Sequence, residues 1–483
     1  MTKTVRIVAA IMAILMGLSA LAMVAVYVSA ETYDGTSVSA SLSGSGTEAD
    51  PYLIANGADL AYFAANPVDG ASYKLTNDIV WSSYTKGAEA PTASNWTPIV
   101  FNGSFDGNGK TVSGLCVVSD SNGVGFFAWA QGTVKNLTVK DSYFKGNTKV
   151  AGIVGQIQDF SDDEKGTDLV RSLVIENCVS YADIVVTAKN GYSGGILGGA
   201  NRDGQINLTI SGCVNYGTIL FDNAKDNALV GGIAGQLNGK TIVVENCANY
   251  GEVICSTPVT GGICAQVGGS SNKEGDGTSV TIRNCINYAP VSASRITGGI
   301  VGRLYANATI ENCVNVATVT ANTAGKNAGQ YGAITGVITG KIVNSFYVEG
   351  CATNVGEPET AGVADGTAKA LADINSDATV TALGEAYTLV DGALTLKIVA
   401  TAGQVESAEP EVTEPAPETT EPAPETTEPA PETTEPAPET TEPAPETTEP
   451  GASSDTGDGS IFYLVIAVVA IAATAIVAKK REN

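Results

Sequence analysis

The sequence predicts an all-β fold, a solenoid of stacked parallel strands closed by short capping helices and a terminal hairpin. Three observations carry this reading. Two short markers recur six times between residues 111 and 350. The residues around them alternate between apolar and polar with period two, which is strand geometry. Prolines and helical spacing are nearly absent from the same stretch.

The first marker is Gly-Gly-Ile-apolar-small. It reads Gly194-Gly195-Ile196-Leu197-Gly198, Gly231-Gly232-Ile233-Ala234-Gly235, Gly261-Gly262-Ile263-Cys264-Ala265 and Gly298-Gly299-Ile300-Val301-Gly302. Weaker copies are Ala151-Gly152-Ile153-Val154-Gly155 and Tyr331-Gly332-Ala333-Ile334-Thr335-Gly336. The second marker, apolar-x-Asn-Cys-apolar-Asn-Tyr, is centred on Cys178, Cys213, Cys247, Cys285 and Cys313, with Ser345 in the last copy. Three residues before each cysteine stands Ile175, Ile210, Val244, Ile282 or Ile310, and five before stands Leu173, Leu208, Ile242, Val280 or Ala308. Six residues after stands Ile184, Ile219, Val253, Val291 or Val319.

A repeat of this length, holding about three short strands, is one coil of a β-solenoid. A single coil cannot bury its apolar face, so coils must stack, each about 4.8 Å above the last. Stacking assigns a role to the odd residues. The residue before each cysteine is Asn177, Gly212, Asn246, Asn284, Asn312 and, in the last copy, Asn344. Asparagines one strand spacing apart can hydrogen-bond as a ladder. The five cysteines form a parallel column of small apolar side chains with free thiols. A metal site needs several ligands converging on one point, which a linear column does not provide. Cys116 and Cys351 fall outside the column. The repeated glycines either supply positive φ or let backbones pass closely at a corner.

Solenoid ends need caps, because open edges invite aggregation. Residues 46–110 are read as the N-terminal cap, with a short helix over Ala58 to Ala65, Asn56 as its cap and Pro67 after its end. Residues 351–400 are read as the C-terminal cap, with a helix over Thr367 to Ile374 and a hairpin over Tyr387 to Ile398 around Asp391-Gly392, a type I′ turn signal.

The ends of the chain carry addresses. Lys3 and Arg6, the apolar run Ile7 to Val28 and the small-x-small triplet Val28-Ser29-Ala30 read as a signal peptide over residues 1–30, with an uncleaved anchor as the alternative. Residues 31–45 read as a linker. Residues 401–460 form a stalk. Within it 413–447 are five copies of Thr-Glu-Pro-Ala-Pro-Glu-Thr, and Glu406 to Glu449 holds 14 glutamates with no Lys or Arg. Such a segment cannot bury a core and is extended polyproline II, with a reach of roughly 140 Å as an upper limit. Ile461 to Ala478 is uncharged and long enough to span a bilayer as one transmembrane helix, and Lys479, Lys480 and Arg481 after it place the preceding chain outside.

Composition narrows the chemistry. The 483 residues carry a net charge of −25 and no histidine. The acidic balance argues against nucleic-acid binding. Without histidine there is no Ser-His-Asp or Cys-His nucleophile system and no HExxH zinc site, so no cofactor, metal or catalytic residue is assigned.

The markers resemble the GLUG motif of bacterial surface proteins, seen in Gly195-Ile196-Leu197-Gly198 and Gly299-Ile300-Val301-Gly302 with Ile in the Leu place. Gly46-Thr47-Glu48-Ala49-Asp50-Pro51-Tyr52-Leu53-Ile54, then Leu75-Thr76-Asn77-Asp78-Ile79, then Phe101 to Lys110 resemble the segments that precede such repeats. The resemblance covers roughly residues 46 to 400. It implies a right-handed parallel β-helix and little about activity, since GLUG repeats also occur in non-catalytic parts of larger proteins, including immunoglobulin A proteases. Ser453-Ser454-Asp455-Thr456-Gly457, the apolar segment and the basic tail resemble a sortase sorting signal. The Leu-Pro of the LPxTG pattern is missing. Cleavage by a sortase between Thr456 and Gly457 and a plain membrane anchor therefore both stand.

Three functions fit. The first is a non-catalytic adhesion module at the bacterial cell surface, with host glycans or matrix proteins as candidate partners. Its contact loops would be Gln158 to Asp168 (with Asp162, Asp163 and Glu164), Asn201 to Gln205 (with Arg202 and Asp203), Asp222 to Asn227 (with Asp222 and Asp226) and Gly268 to Thr278 (with Asn272). The second is a passive surface coat. The third, a polysaccharide-active enzyme using paired carboxylates, has little support. Thr76-Asn77-Asp78 resembles one fragment of a pectin-hydrolase signature, whose histidine-containing partner cannot be present. Asp106-x-Asn108-Gly109 looks like the start of a calcium loop, but a tight turn explains it better.

Overall fold

Period-two alternation becomes a parallel ladder in the computed structural model, which describes residues 31–157, 169–187, 191–202, 204–221, 228–255, 259–269, 277–321, 330–352, 355–358 and 363–401. One coil shows the plan. Ala228–Gly231 lies on one face, Ala234–Asn238, Thr241–Glu245 and Ala248–Asn249 on a second, and Val253–Cys255 on a third. Among the described residues these faces are sheets of 7, 24 and 7 strands, joined in parallel pairs from coil to coil. The chain is a parallel β-helix.

The register follows the sequence offsets. Ile175 pairs with Ile210, then Val244, Ile282, Ile310 and Ile342. Ile184 pairs with Ile219, Val253, Val291 and Val319. Both columns point inward and are buried. The nine cysteines are free and buried. Those of the column bond weakly to main-chain carbonyls; the Cys213 thiol, for example, donates to Ile175 O (3.6 Å) and Ser211 O (3.4 Å). Burial pushes the Cys213 and Cys285 thiols well up.

The asparagines need a correction. Those preceding the cysteines (Asn177, Asn246, Asn284, Asn312, Asn344) all have positive φ, between 42° and 53°. They form a column of left-handed corners, and Gly212 at φ 64° takes the same conformation. Asparagine and glycine share that place because both tolerate the left-handed region. Side-chain bonds join some neighbours, Asn177 to Asn136 (3.3 Å) and Asn344 to Asn312 (2.7 Å). The continuous buried ladder belongs to the other asparagine of the marker, two residues after the cysteine. Nδ2 of Asn215 donates to Oδ1 of Asn249, Asn249 to Asn287 and Asn287 to Asn315, each at 2.9 Å. Each Nδ2 also donates to a carbonyl two residues on, at Gly217, Gly251, Ala289 and Ala317. Cys351 ends the ladder, accepting from Asn315 Nδ2 at 3.6 Å.

The two markers interlock at this ladder. The second glycine of each Gly-Gly pair has ordinary φ, so close approach explains it. A Cβ on Gly195, Gly232, Gly262 or Gly299 would run into the side chain of Asn215, Asn249, Asn287 or Asn315. At Gly232 it would also strike the Gly262 carbonyl oxygen of the next coil.

A tyrosine follows Asn215, Asn249 and Asn287 of the ladder, and also Ser180 at the same place one coil earlier. Tyr181, Tyr216, Tyr250 and Tyr288 stack with ring centroids 4.6, 4.9 and 4.5 Å apart and planes within 11° of parallel. This outward stack is covered by the C-terminal segment, which corrects the expected cap. Residues 363–369 are a strand that adds to Lys341–Val348, and the helix is shorter than expected, Leu371–Ile374. From there to residue 401 the chain lies along the side of the coils. The hairpin Tyr387–Val390 and Ala393–Leu396 turns at Asp391 and Gly392, both at positive φ as a type I′ turn requires. Its apolar side packs on Val214, Ala248, Ile286 and Val314 with the tyrosines. The Tyr387 hydroxyl donates to Asn312 O (2.7 Å), and that of Tyr288 to Leu394 O.

At the other end a helix, Gly57–Ala65, closes the core, with the Asn56 side chain accepting from Asp59 N at 3.0 Å. Its Phe63 enters a cluster with Tyr73, Phe101, Phe105 and Phe127. Among the described residues no helix is long and apolar enough to cross a membrane. The expected signal peptide, stalk and transmembrane segment lie outside the described residues.

Candidate functional site

The leading coils build a cleft of about 720 Å³. Its first wall is the chain just before the N-terminal cap. Thr32 bridges Val80 in parallel, and Tyr33 N donates to Val80 O at 2.8 Å. Asp34 then folds the chain back, accepting from Thr36 N (2.8 Å), Ser37 N (2.7 Å) and the Ser37 hydroxyl. The Ser37 hydroxyl bond, aided by the two amides, holds the Asp34 carboxyl down at about 2, so it is ionised at neutral pH.

The second wall is the excursion from Trp81 to Thr97. Its backbone is fixed from below. Trp81 Nε1 donates to Asn95 O (2.8 Å) and Trp96 Nε1 to Phe126 O (3.2 Å). Asn95 donates to Gly114 O (2.9 Å) and accepts from Cys116 N (2.7 Å). Lys86, at the tip, reaches across the coils to Asp183 (3.4 Å) and Tyr216 O (3.0 Å). The third wall is the helix face Ala61, Ala64 and Ala65. The rings meet at the floor: Tyr33 and Trp81 at 4.4 Å, Trp81 and Trp96 at 5.1 Å edge to face. Trp96 is buried and Trp81 half-buried. Two of the chain's three tryptophans thus line one cleft.

A smaller cleft of about 460 Å³ lies nearby, lined by Glu31, Asn56, Asn77, Asp78 and Lys110 among others. Asn77 and Asp78 tie coils together there: Asn77 Nδ2 donates to Ala55 O (3.0 Å), and Asp78 accepts from Thr111 N (2.8 Å). Asp106-x-Asn108-Gly109 is the tight turn expected, with Asn108 N donating to Asp106 Oδ1 at 2.8 Å and positive φ at Asn108 and Gly109. Among the described residues no three His, Cys, Asp or Glu side chains could hold a metal ion.

Of the loop residues named from the sequence, Arg202 is described; it is half-buried, and its N–H donates to Asn238 O at 2.9 Å. Asp162, Asp163, Glu164, Asp203, Asp222, Asp226 and Asn272 lie outside the described residues, as do Thr456 and Gly457. The strands that flank the four loops are described. Three of the loops join consecutive strands of the 24-stranded sheet: Val154–Ile157 to Arg171–Glu176, Leu197–Asn201 to Ile206–Ser211, and Cys264–Val267 to Ser279–Arg283. The fourth, after Ile219–Phe221, joins the two seven-stranded sheets at a different corner. The strands flanking the fourth loop therefore belong to different sheets from those flanking the other three. The aromatic cleft was not foreseen. Its available signal was the pair Trp81 and Trp96 ahead of the repeats, where no marker explains them.

No family model matches the chain. A stretch of 130 residues, 25% of the chain, is 33% identical to halomucin of Haloquadratum walsbyi and spans 1% of that protein. A crystal structure from Bacteroides ovatus, provisionally assigned as an immunoglobulin A1 protease, aligns with a TM-score of 0.47 at 20% identity, over 74% of this chain and 94% of that one.

Proposed function

We propose that the protein is a non-catalytic binding protein displayed on a bacterial surface. In this reading the β-helix stands on the stalk of residues 401–460, is held by the apolar segment 461–478, and meets its ligand at the N-terminal aromatic cleft. The cleft is the observation that carries this reading. Its volume falls in the range of sites for small ligands, and an aromatic floor with a polar rim is the usual composition of such sites. Among the described residues Asp34 is the one carboxylate lining it, whereas glycoside hydrolysis ordinarily uses a pair.

The uniform coils also suit a passive coat, and a screen separates the two. The purified full-length chain is tested against arrays of glycans and host matrix proteins, with folding checked by circular dichroism. Saturable binding that is lost on changing the cleft supports the binding protein. A blank from folded protein shifts the assignment to the coat.

A further inference from the structure

We infer that the cleft between Tyr33, Trp81 and Trp96 takes a neutral saccharide, with the Trp81 indole as its stacking surface. This rests on the proposed binding role and adds the chemical class of the ligand. A pyranose has apolar C–H faces and a rim of hydroxyls, and the cleft offers complements to both. Apolar surface comes from the half-buried Trp81 and the alanines of the helix, with Trp96 buried beneath. Polar groups come from Thr32, Ser83 and Thr97, all exposed and, among the described residues, without side-chain hydrogen bonds of their own. The Asp34 carboxylate lines the same cleft, fixed by its turn and able to accept from sugar hydroxyls. Ser82 and Asn95, by contrast, spend their side chains on Gly114 and Cys116 and serve as framework.

Charge decides between saccharides. The chain carries a net charge of −25, and among the described residues the one charged side chain lining the cleft is an ionised carboxylate. Sialic and uronic acids would meet like charge, while neutral hexoses and N-acetylhexosamines would not. An aromatic or purely apolar ligand would take water from the hydroxyls of Thr32, Ser83 and Thr97 and offer them no hydrogen bond in return.

The test is titration of the full-length chain, in a Trp129→Phe background, with glucose, galactose, mannose, N-acetylglucosamine, lactose and chitobiose, plus sialic acid. Tryptophan emission is the readout. At least one neutral sugar should give a saturable shift. That affinity should fall roughly tenfold or more in Trp81→Ala and only a few-fold in Trp81→Phe, where a ring remains. In the wild-type chain the same sugar should protect Trp81, and not Trp129, from N-bromosuccinimide oxidation read by peptide mass. This second measurement needs no variant to fold. The inference is overturned if no neutral sugar shifts emission, if Trp129 is protected equally, or if sialic acid binds as well as the neutral sugars. Matrix-protein binding in the array with no sugar response would sink the saccharide and leave the binding protein standing. Silence in both would sink both.

Discussion

The leading coils and the repeated coils solve one packing problem in different ways. Along a single inward column the residues run Tyr73, Phe105, Val134, Ile175, Ile210, Val244, Ile282, Ile310 and Ile342. The early positions are aromatic and unlike one another; the later ones are β-branched and nearly identical. In the repeats every coil makes the same contacts with the next, so the Asn ladder, the cysteine column and the tyrosine stack each extend by copying. Copying also removes asymmetry, and a binding cleft is an asymmetric object. The aromatic cleft lies where the copying has not begun, on the excursion 81–97, which holds none of the strands that later coils place on the two seven-stranded sheets.

Five substitutions bear on this contrast. Phe105→Ala removes a fully buried ring that touches Phe63, Phe126 and Phe127, and should cost about 4 kcal/mol. Because coils contact only their neighbours, hydrogen exchange should accelerate in residues 50–140 and stay near wild type beyond 240. Uniform acceleration along the helix would show that the two regions unfold together. Gly232→Val should cost roughly 3 kcal/mol, since the added side chain meets backbone and Asn249 at once. A wild-type melting temperature in that variant would contradict the interlocking of the two markers.

Asn249→Ala interrupts the ladder at its middle. It removes bonds to Asn215, Asn287 and the Gly251 turn, for a loss of about 2 kcal/mol by urea denaturation. The replacement of Asn284, a half-buried corner residue, by Gly should cost much less, because glycine keeps the left-handed φ. Comparable losses would return the ladder to the corner asparagines. The smallest effect is expected for Cys247→Ser, about 1 kcal/mol or less. The chain already uses this exchange: Ser345 ends the cysteine column, donating to Val343 O and accepting from Cys313 N. The same burial predicts that Cys213 and Cys285, their thiols raised well above the ordinary value, resist thiol reagents at pH 8 until the protein unfolds. Fast labelling of the folded chain would mean the column is open to solvent.

The coil register was legible because each copy repeats the same offsets from its cysteine, and period two leaves one way to turn the apolar residues inward. The hairpin at Asp391-Gly392 was legible for a local reason, two adjacent residues that accept positive φ. The identity of the ladder was not. Both asparagines of the marker recur with the same period, and a repeat cannot tell an inward column from a corner. Gly212 was the clue: a position that exchanges Asn for Gly is selected for its backbone conformation rather than for a side-chain bond.

The sequence by itself determined the parallel β-helix, its register and its buried thiols, since these follow from contacts that each coil makes with a copy of itself. Tertiary structure alone decided where the non-repeating parts go. Nothing local in residues 371–401 says that they lie beside a tyrosine stack, and nothing local in Tyr33, Trp81 and Trp96 says that they meet. Those contacts join segments with no common period, so they are set by which surfaces remain exposed once the coils have stacked.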